Sequence, residues 1–196
     1  THCMGCSDRE QGIPVGPDTL FRMYSVSKVV TCLAALRLYE AGRLELDDEL
    51  GRYLPAYAGM SVATLQADGS VTLAPARNPI RIRHLFTMSA GFAYDDERRT
   101  PASMGSRALV QEECRTWGGR KYTTRHFIDR LASVPLDFEP GTHFQYSLGH
   151  DVLAAVIEVV TGRRFSDVLQ DEVFAPLGMT STGCRVEPGK EDQLPP

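Results

Sequence analysis

Apolar and polar positions along the chain sort into a run of helical blocks joined by short, turn-rich stretches. The clearest block runs from Ser25 to Ala41, where Val26, Val29, Val30, Leu33, Leu36 and Leu38 recur at roughly helical spacing, Gly and Pro are absent, and Gly42 supplies the stop. Because this segment is apolar nearly all round, it is expected to be buried. A second strong helix is predicted over 151–161, with Val152, Val156, Val159 and Val160 on one broad face before Gly162. Phe165 to Phe174 follows it and stops before Pro176. Shorter helices fit Asp47 to Tyr53, closed by Pro55, then Pro79 to Met88, and Thr123 to Ser133 with Thr123 as the N-cap candidate. Extended pieces are expected at Thr1 to Ser7, ahead of the turn-rich Asp8 to Pro17, and at Thr142 to Ser147, after the turn Glu139-Pro140-Gly141. Val62 to Leu65 and Val71 to Leu73 flank Asp68-Gly69, a hairpin signal. From Phe92 to Lys121 the chain is polar, carries Gly105, Gly118 and Gly119 and shows no clear period, which predicts a long surface excursion with a single helical turn. Glu187 to Pro196 reads as a polar, Pro-rich tail.

Composition narrows the class. Of 196 residues, 42% are hydrophobic and 23% charged, and 21 Lys plus Arg against 25 Asp plus Glu leave a formal charge of -4. That balance excludes a strongly basic nucleic-acid binder and an extended disordered tail, and one sizeable core is expected. The longest apolar stretches, Val29 to Leu36 and Val152 to Val160, fall short of the roughly 18 residues a bilayer span requires, so no membrane span is predicted. The first residues lack a basic segment followed by an apolar one, so no signal peptide is read and a cytoplasmic location is favoured, with the native start not fixed by a chain that opens on Thr1. Cys3, Cys6, Cys32, Cys114 and Cys184 are odd in number and irregularly spaced, so reduced thiols are expected, with Cys3-x-x-Cys6 read as strand packing.

Candidate chemistry centres on Ser25-Val26-Ser27-Lys28. Side chains three apart on a helix lie on one face about 5 to 6 Å from each other. A serine hydroxyl needs a neighbour to take its proton, and a lysine in an apolar, partly desolvated site is expected to have its pKa lowered for that task. The amides and dipole of the helix N-terminus favour the developing anion. Taken alone, the tetrapeptide is more readily explained by Ser25 as an N-cap and Lys28 in solvent. Other candidates are weaker. There is no Gly-x-Ser-x-Gly elbow. His2, His84, His126, His143 and His150 show no metal-binding spacing and are read as structural or surface residues, and no cofactor or metal is expected. Asp95 and Asp96, within Tyr94-Asp95-Asp96-Glu97-Arg98-Arg99, read as a solvated charge run.

The stretch Pro17-Asp18-Thr19-Leu20-Phe21-Arg22-Met23-Tyr24-Ser25-Val26-Ser27-Lys28 resembles the approach to the active-site helix of serine β-lactamases, DD-peptidases and the esterases related to class C β-lactamases. Ile80 to Gly91 is similar to that family's stretch written I-T-I-R-x-L-L-T-H-T-S-G. Phe144 to Leu153 is similar to its second catalytic motif, and 157–162 with Phe174-Ala175-Pro176-Leu177-Gly178-Met179 to its next helices. The resemblance implies an α+β, β-lactamase/transpeptidase-like fold, a helical lobe packed on an antiparallel sheet, with 1–196 forming a partial domain truncated at both ends. It implies an acyl-enzyme mechanism in which Ser25 attacks a carbonyl, Lys28 accepts or relays its proton and Tyr146 completes the network, with the base left open between lysine and tyrosine. One oxyanion-hole amide is implied at Ser25 itself. The implied partner is a small ester or amide, with oligomeric state unread. Leu148 stands where members with a Tyr-x-Asn motif carry Asn, which tilts the expectation from β-lactams toward carboxylic esters, as in the esterase branch. A β-lactamase or DD-peptidase and a non-catalytic module of the same fold are the alternatives. The family's third motif, a Lys-Thr-Gly, His-x-Gly or Trp-Gly-Gly on a late strand, has no counterpart after Met179, and Trp117-Gly118-Gly119 precedes Tyr146 and is read as coincidence. The chain by itself is therefore expected to be poorly active, with an apolar sheet-facing surface left exposed.

Overall fold

The computed structural model describes residues 2–94, 99–116, 123–186, 189 and 194. A helical lobe is built around α5 (Gly149–Thr161), in which 152–157 are all buried. Around it pack α1 (Ser27–Glu40), α2 (Ile82–Phe86), α4 (Thr124–Leu131) and α6 (Phe165–Leu169), the last running directly into a π-helical turn at Gln170–Phe174. Gly162 ends α5 in the left-handed region (φ +68°), where glycine carries no Cβ penalty. The Thr123 hydroxyl caps α4, accepting from the His126 amide at 3.2 Å.

The strands form two separate antiparallel pairs. β1 (Cys6–Asp8) pairs with β2 (Ile13–Pro14), and β3 (Ser61–Leu65) pairs in full register with β4 (Val71–Pro75) across the Asp68-Gly69 turn. β3 is anchored to the lobe by Leu136, whose backbone exchanges hydrogen bonds of 2.8 Å with Ser61 and Ala63. Within the described residues the sheet of the fold is thus present only as these two ladders.

Three elements differ from the sequence reading. The Asp47–Tyr53 helix is a single 3-10 turn at Leu50–Arg52, and residues 142–147 form no strand. The expected excursion between Phe92 and Lys121 contains α3 (Pro101–Thr116). Its inward face is Ala102, Ser103, Ser106, Leu109 and Glu113, with Leu109 the one large apolar residue, so it carries little hydrophobic signal. Gly105 lies so close to Val134 that an added Cβ would stand 2.9 Å from its Cγ1. The signal that was legible is Thr100-Pro101, an N-cap followed by proline at the first helical position, and the Thr100 hydroxyl does accept from the Ser103 amide at 3.1 Å. Trp117-Gly118-Gly119, the 95–98 part of the charge run and most of the tail fall outside the described residues.

Burial of α1 also departs from expectation. Thr31, Ala34, Ala35 and Leu38 face the core, whereas Val26, Val29, Leu33 and Leu36 are exposed. No helix among the described residues is long and apolar enough to cross a membrane.

Candidate active site

Ser25 sits in a 3-10 turn, Tyr24–Val26, that leads without a break into α1. Tyr24 adopts φ +42°, a conformation L-residues avoid, so the backbone is strained at the residue before Ser25. One helical turn on, the Lys28 ammonium donates to Ser25 Oγ at 3.3 Å. Tyr146 arrives from the segment that precedes α5, and its ring lies 5.0 Å from Lys28 Nζ. The three residues singled out from the sequence therefore meet at one place.

A fourth residue joins them. Lys28 Nζ donates to the Tyr94 hydroxyl at 2.9 Å and lies 5.5 Å from the centre of that ring. The Tyr94 ring stacks on Tyr146, centroids 5.5 Å apart and planes inclined by 27°. Sequence reasoning placed Tyr94 in a solvated charge run because of the acidic residues after it. The signal pointing the other way was its position directly after the Ile80–Gly91 block and Phe92-Ala93, both buried.

Both tyrosines are held by the same small network. The Gln145 amide nitrogen of the backbone donates to the Met88 carbonyl at 2.8 Å. The Gln145 side chain donates to the Phe92 carbonyl at 3.0 Å and to Asp137 Oδ2 at 2.7 Å. Thr100 donates to the same carboxylate oxygen at 3.0 Å, and Ser106 of α3 donates to the Ala93 carbonyl at 3.0 Å. Gly91 makes the crossing possible: at φ +92° its virtual Cβ would stand 2.6 Å from the Phe138 carbonyl oxygen. Helix α3, invisible in the hydrophobic pattern, thus helps hold the irregular segment that delivers Tyr94.

Electrostatics correct one expectation. Burial alone would lower the pKa of Lys28, but its hydrogen bonds and charge interactions with Tyr94 and Tyr146 outweigh that, and the net shift is upward from 10.5. The site is also not dry, since Ser25 is exposed and Tyr146 is 45% exposed. Conversely the Tyr146 phenol is shifted below 10.0, first through its hydrogen bond with Ser25, which outweighs burial acting the other way, and then through Lys28. Leu148 points into the core and is 7% exposed, so that position presents no polar group to the site. His84 serves the start of α2, its Nδ1 accepting from the Arg81 amide at 3.1 Å. No cluster of three metal-ligating side chains occurs among the described residues.

This helical lobe, with its serine and lysine at the head of α1 and its tyrosine just ahead of α5, has a β-lactamase/transpeptidase-like fold. It is similar to the solved structure of EstCE1, described as a hydrolase with promiscuous acyltransferase activity (TM-score 0.67, 35% identity, 89% of this chain and 42% of that one). It is likewise similar to the simvastatin synthase LovD from Aspergillus terreus (TM-score 0.70, 27% identity, 90% and 43%). The chain belongs to the β-lactamase family, whose model, Beta-lactamase, matches residues 1–194. Among curated relatives, Esterase EstB of Burkholderia gladioli is 37% identical over 91% of this chain, which corresponds to 42% of EstB. The chain therefore spans less than half the length of these relatives.

Proposed function

We propose that the protein is a serine hydrolase that forms an acyl-enzyme on Ser25 and acts on carboxylic esters. The carrying observation is the contact of Ser25 Oγ with the Lys28 ammonium at 3.3 Å beside a phenol, Tyr146, whose pKa is drawn down by those same two residues. A lysine shifted upward keeps its proton at neutral pH and is a poor acceptor, so the base is Tyr146 and the ammonium supports its phenolate. The Ser25 proton passes to the Tyr146 oxygen as the Ser25 oxygen bonds to the carbonyl carbon. The same phenol then returns the proton to the leaving alcohol as the ester C–O bond breaks. Water, deprotonated by the Tyr146 phenolate, releases the acid and regenerates the Ser25 hydroxyl. Buried Leu148 supports esters over β-lactams, because nothing polar at that position meets a substrate amide. The EstB and EstCE1 likenesses support the same choice.

A fluorophosphonate probe tests the reading without requiring turnover. It should label the chain, fail on Ser25→Ala, and react about 10²-fold or more slowly with Tyr146→Phe. The labelling rate should rise with pH to a half-point below 10.0, as the Tyr146 phenol ionises, and fall again above 10.5, as Lys28 loses its proton. A folded, longer form of the protein whose Ser25 stays unlabelled would instead be a non-catalytic module. Faster consumption of nitrocefin than of a p-nitrophenyl ester would move the substrate class to β-lactams.

A further inference from the structure

One pair of reactive side chains is unused by this mechanism. Cys32 lies one turn beyond Lys28 on α1, and His150 lies four residues beyond Tyr146 at the start of α5. Cys32 Sγ and His150 Nε2 are 3.2 Å apart. α1 therefore carries a site group and, one turn on, one member of this pair, while the other member stands at the start of the helix that Tyr146 leads into.

We infer that His150 and Cys32 form a positioning latch that sets where Lys28 stands relative to Tyr146. Among the described residues, this is the one side-chain hydrogen bond between α1 and α5. The rest of that interface rests on apolar residues such as Ala34, Ala35, Leu38, Val152 and Val156. Apolar burial is non-directional and tolerates sliding of one helix along another, whereas a hydrogen bond fixes their register. Register matters here because Tyr146 belongs to no helix or strand, and its distance from Lys28 follows from how the head of α5 meets α1. Both members are uncharged at neutral pH. Burial and the nearby Lys28 charge lower the His150 pKa against the opposing effect of the Phe86 carbonyl, and burial raises that of the Cys32 thiol. The neutral pair is joined by one hydrogen bond, S–H to Nε2 or Nε2–H to Sγ according to the tautomer of His150.

The latch rests on the proposed role of Ser25, so two readouts keep the ideas separable. In fluorophosphonate labelling, Cys32→Ala and His150→Ala should each slow modification of Ser25 about three- to tenfold, the scale of one net hydrogen bond. Cys32→Ser keeps a donor and should restore most of the rate. The second readout is the ultraviolet titration of Tyr146, taken as the difference between the chain and its Tyr146→Phe variant. In both alanine variants its half-point should move up toward 10.0, because Lys28 and Ser25 no longer bear on the phenol as before. A shifted titration with Ser25 silent in every chain would sink the hydrolase reading and keep the latch. An unchanged titration in the alanine variants, or a Cys32→Ser variant as impaired as Cys32→Ala, would overturn the latch.

Discussion

Helices α1 and α5 are the two strongest helical patterns in the sequence, α1 apolar nearly all round and α5 on one broad face, and they end up in different surroundings. α5 is enclosed by α1, α2, α4 and α6, and its residues 152–157 are all buried. α1 packs on α5, α6 and the π-helical turn along one side, and on the other leaves Val26 at 55% and Val29 at 67% exposure, with Leu33 and Leu36 near 40%. An all-round apolar pattern therefore states what a helix is built to bury, and the neighbours present decide what is buried. The uncovered stripe begins at Val26, next to Ser25, so one wall of the site continues a surface the described residues do not cover.

If enclosure is what separates the two helices, cutting into α5 should have the largest effect. Ile157 is fully buried, and Ile157→Ala should destabilise the chain by about 2–5 kcal/mol in a urea titration, through lost transfer energy plus a cavity. A loss below about 1 kcal/mol would mean that the lobe collapses into the gap and that α5 is not its rigid centre. A smaller contrast lies between phenols. The buried Tyr57 hydroxyl donates to the Ile128 carbonyl at 2.6 Å, and burial raises its pKa far above 10.0. Burial and the Asp48 carboxylate push Tyr53 up to about 12. Phenols whose folded pKa is raised contribute stability that is complete below 10.0 and drains away as the pH climbs through the folded values. Tyr146, shifted the other way, favours the folded chain as it ionises. The urea midpoint should therefore fall above pH 10, less steeply in Tyr53→Phe, whereas Tyr146→Phe should remove a stabilisation that builds up below pH 10 and is complete above it. The same pH profile in all three would remove the distinction between buried phenols and the site phenol.

Most of the site was legible because its chemistry is local. Ser25 and Lys28 are one turn apart on a strongly patterned helix, and Tyr146 sits directly ahead of another. The hairpin was legible for the same reason, Asp68-Gly69 between two alternating runs. Tyr94 was not, because its contact with Lys28 spans 66 residues and depends on Gln145, Asp137 and Gly91 bringing two irregular segments together. Helix α3 escaped because its buried face mixes Ala102, Ser103, Ser106 and Glu113 with a single large apolar residue, Leu109, and Gly105 fits closely against Val134, where shape replaces hydrophobicity. The direction of the Lys28 shift escaped for a related reason. Burial was foreseeable, but the two phenols that outweigh it come from elsewhere in the chain.

The smallest expected effect is the most direct probe of the contrast between the helices. Leu38 and Val29 sit on opposite sides of α1, at 6% and 67% exposure. Leu38→Ala should cost about 2–5 kcal/mol, like a cut into α5. Val29→Gln should stay within about 0.5 kcal/mol of the parent chain, since it removes little buried surface and Gln is the better helix former. Thermal melting of the three chains at one pH reads both differences. In a longer form of the protein that covers the stripe, the same Val29→Gln change would bury an amide beside Ser25 and become costly by about 1–3 kcal/mol. A Val29→Gln variant that is already strongly destabilised in the present chain would show that the outer face of α1 is packed rather than open, and the contrast between the two helices would then disappear.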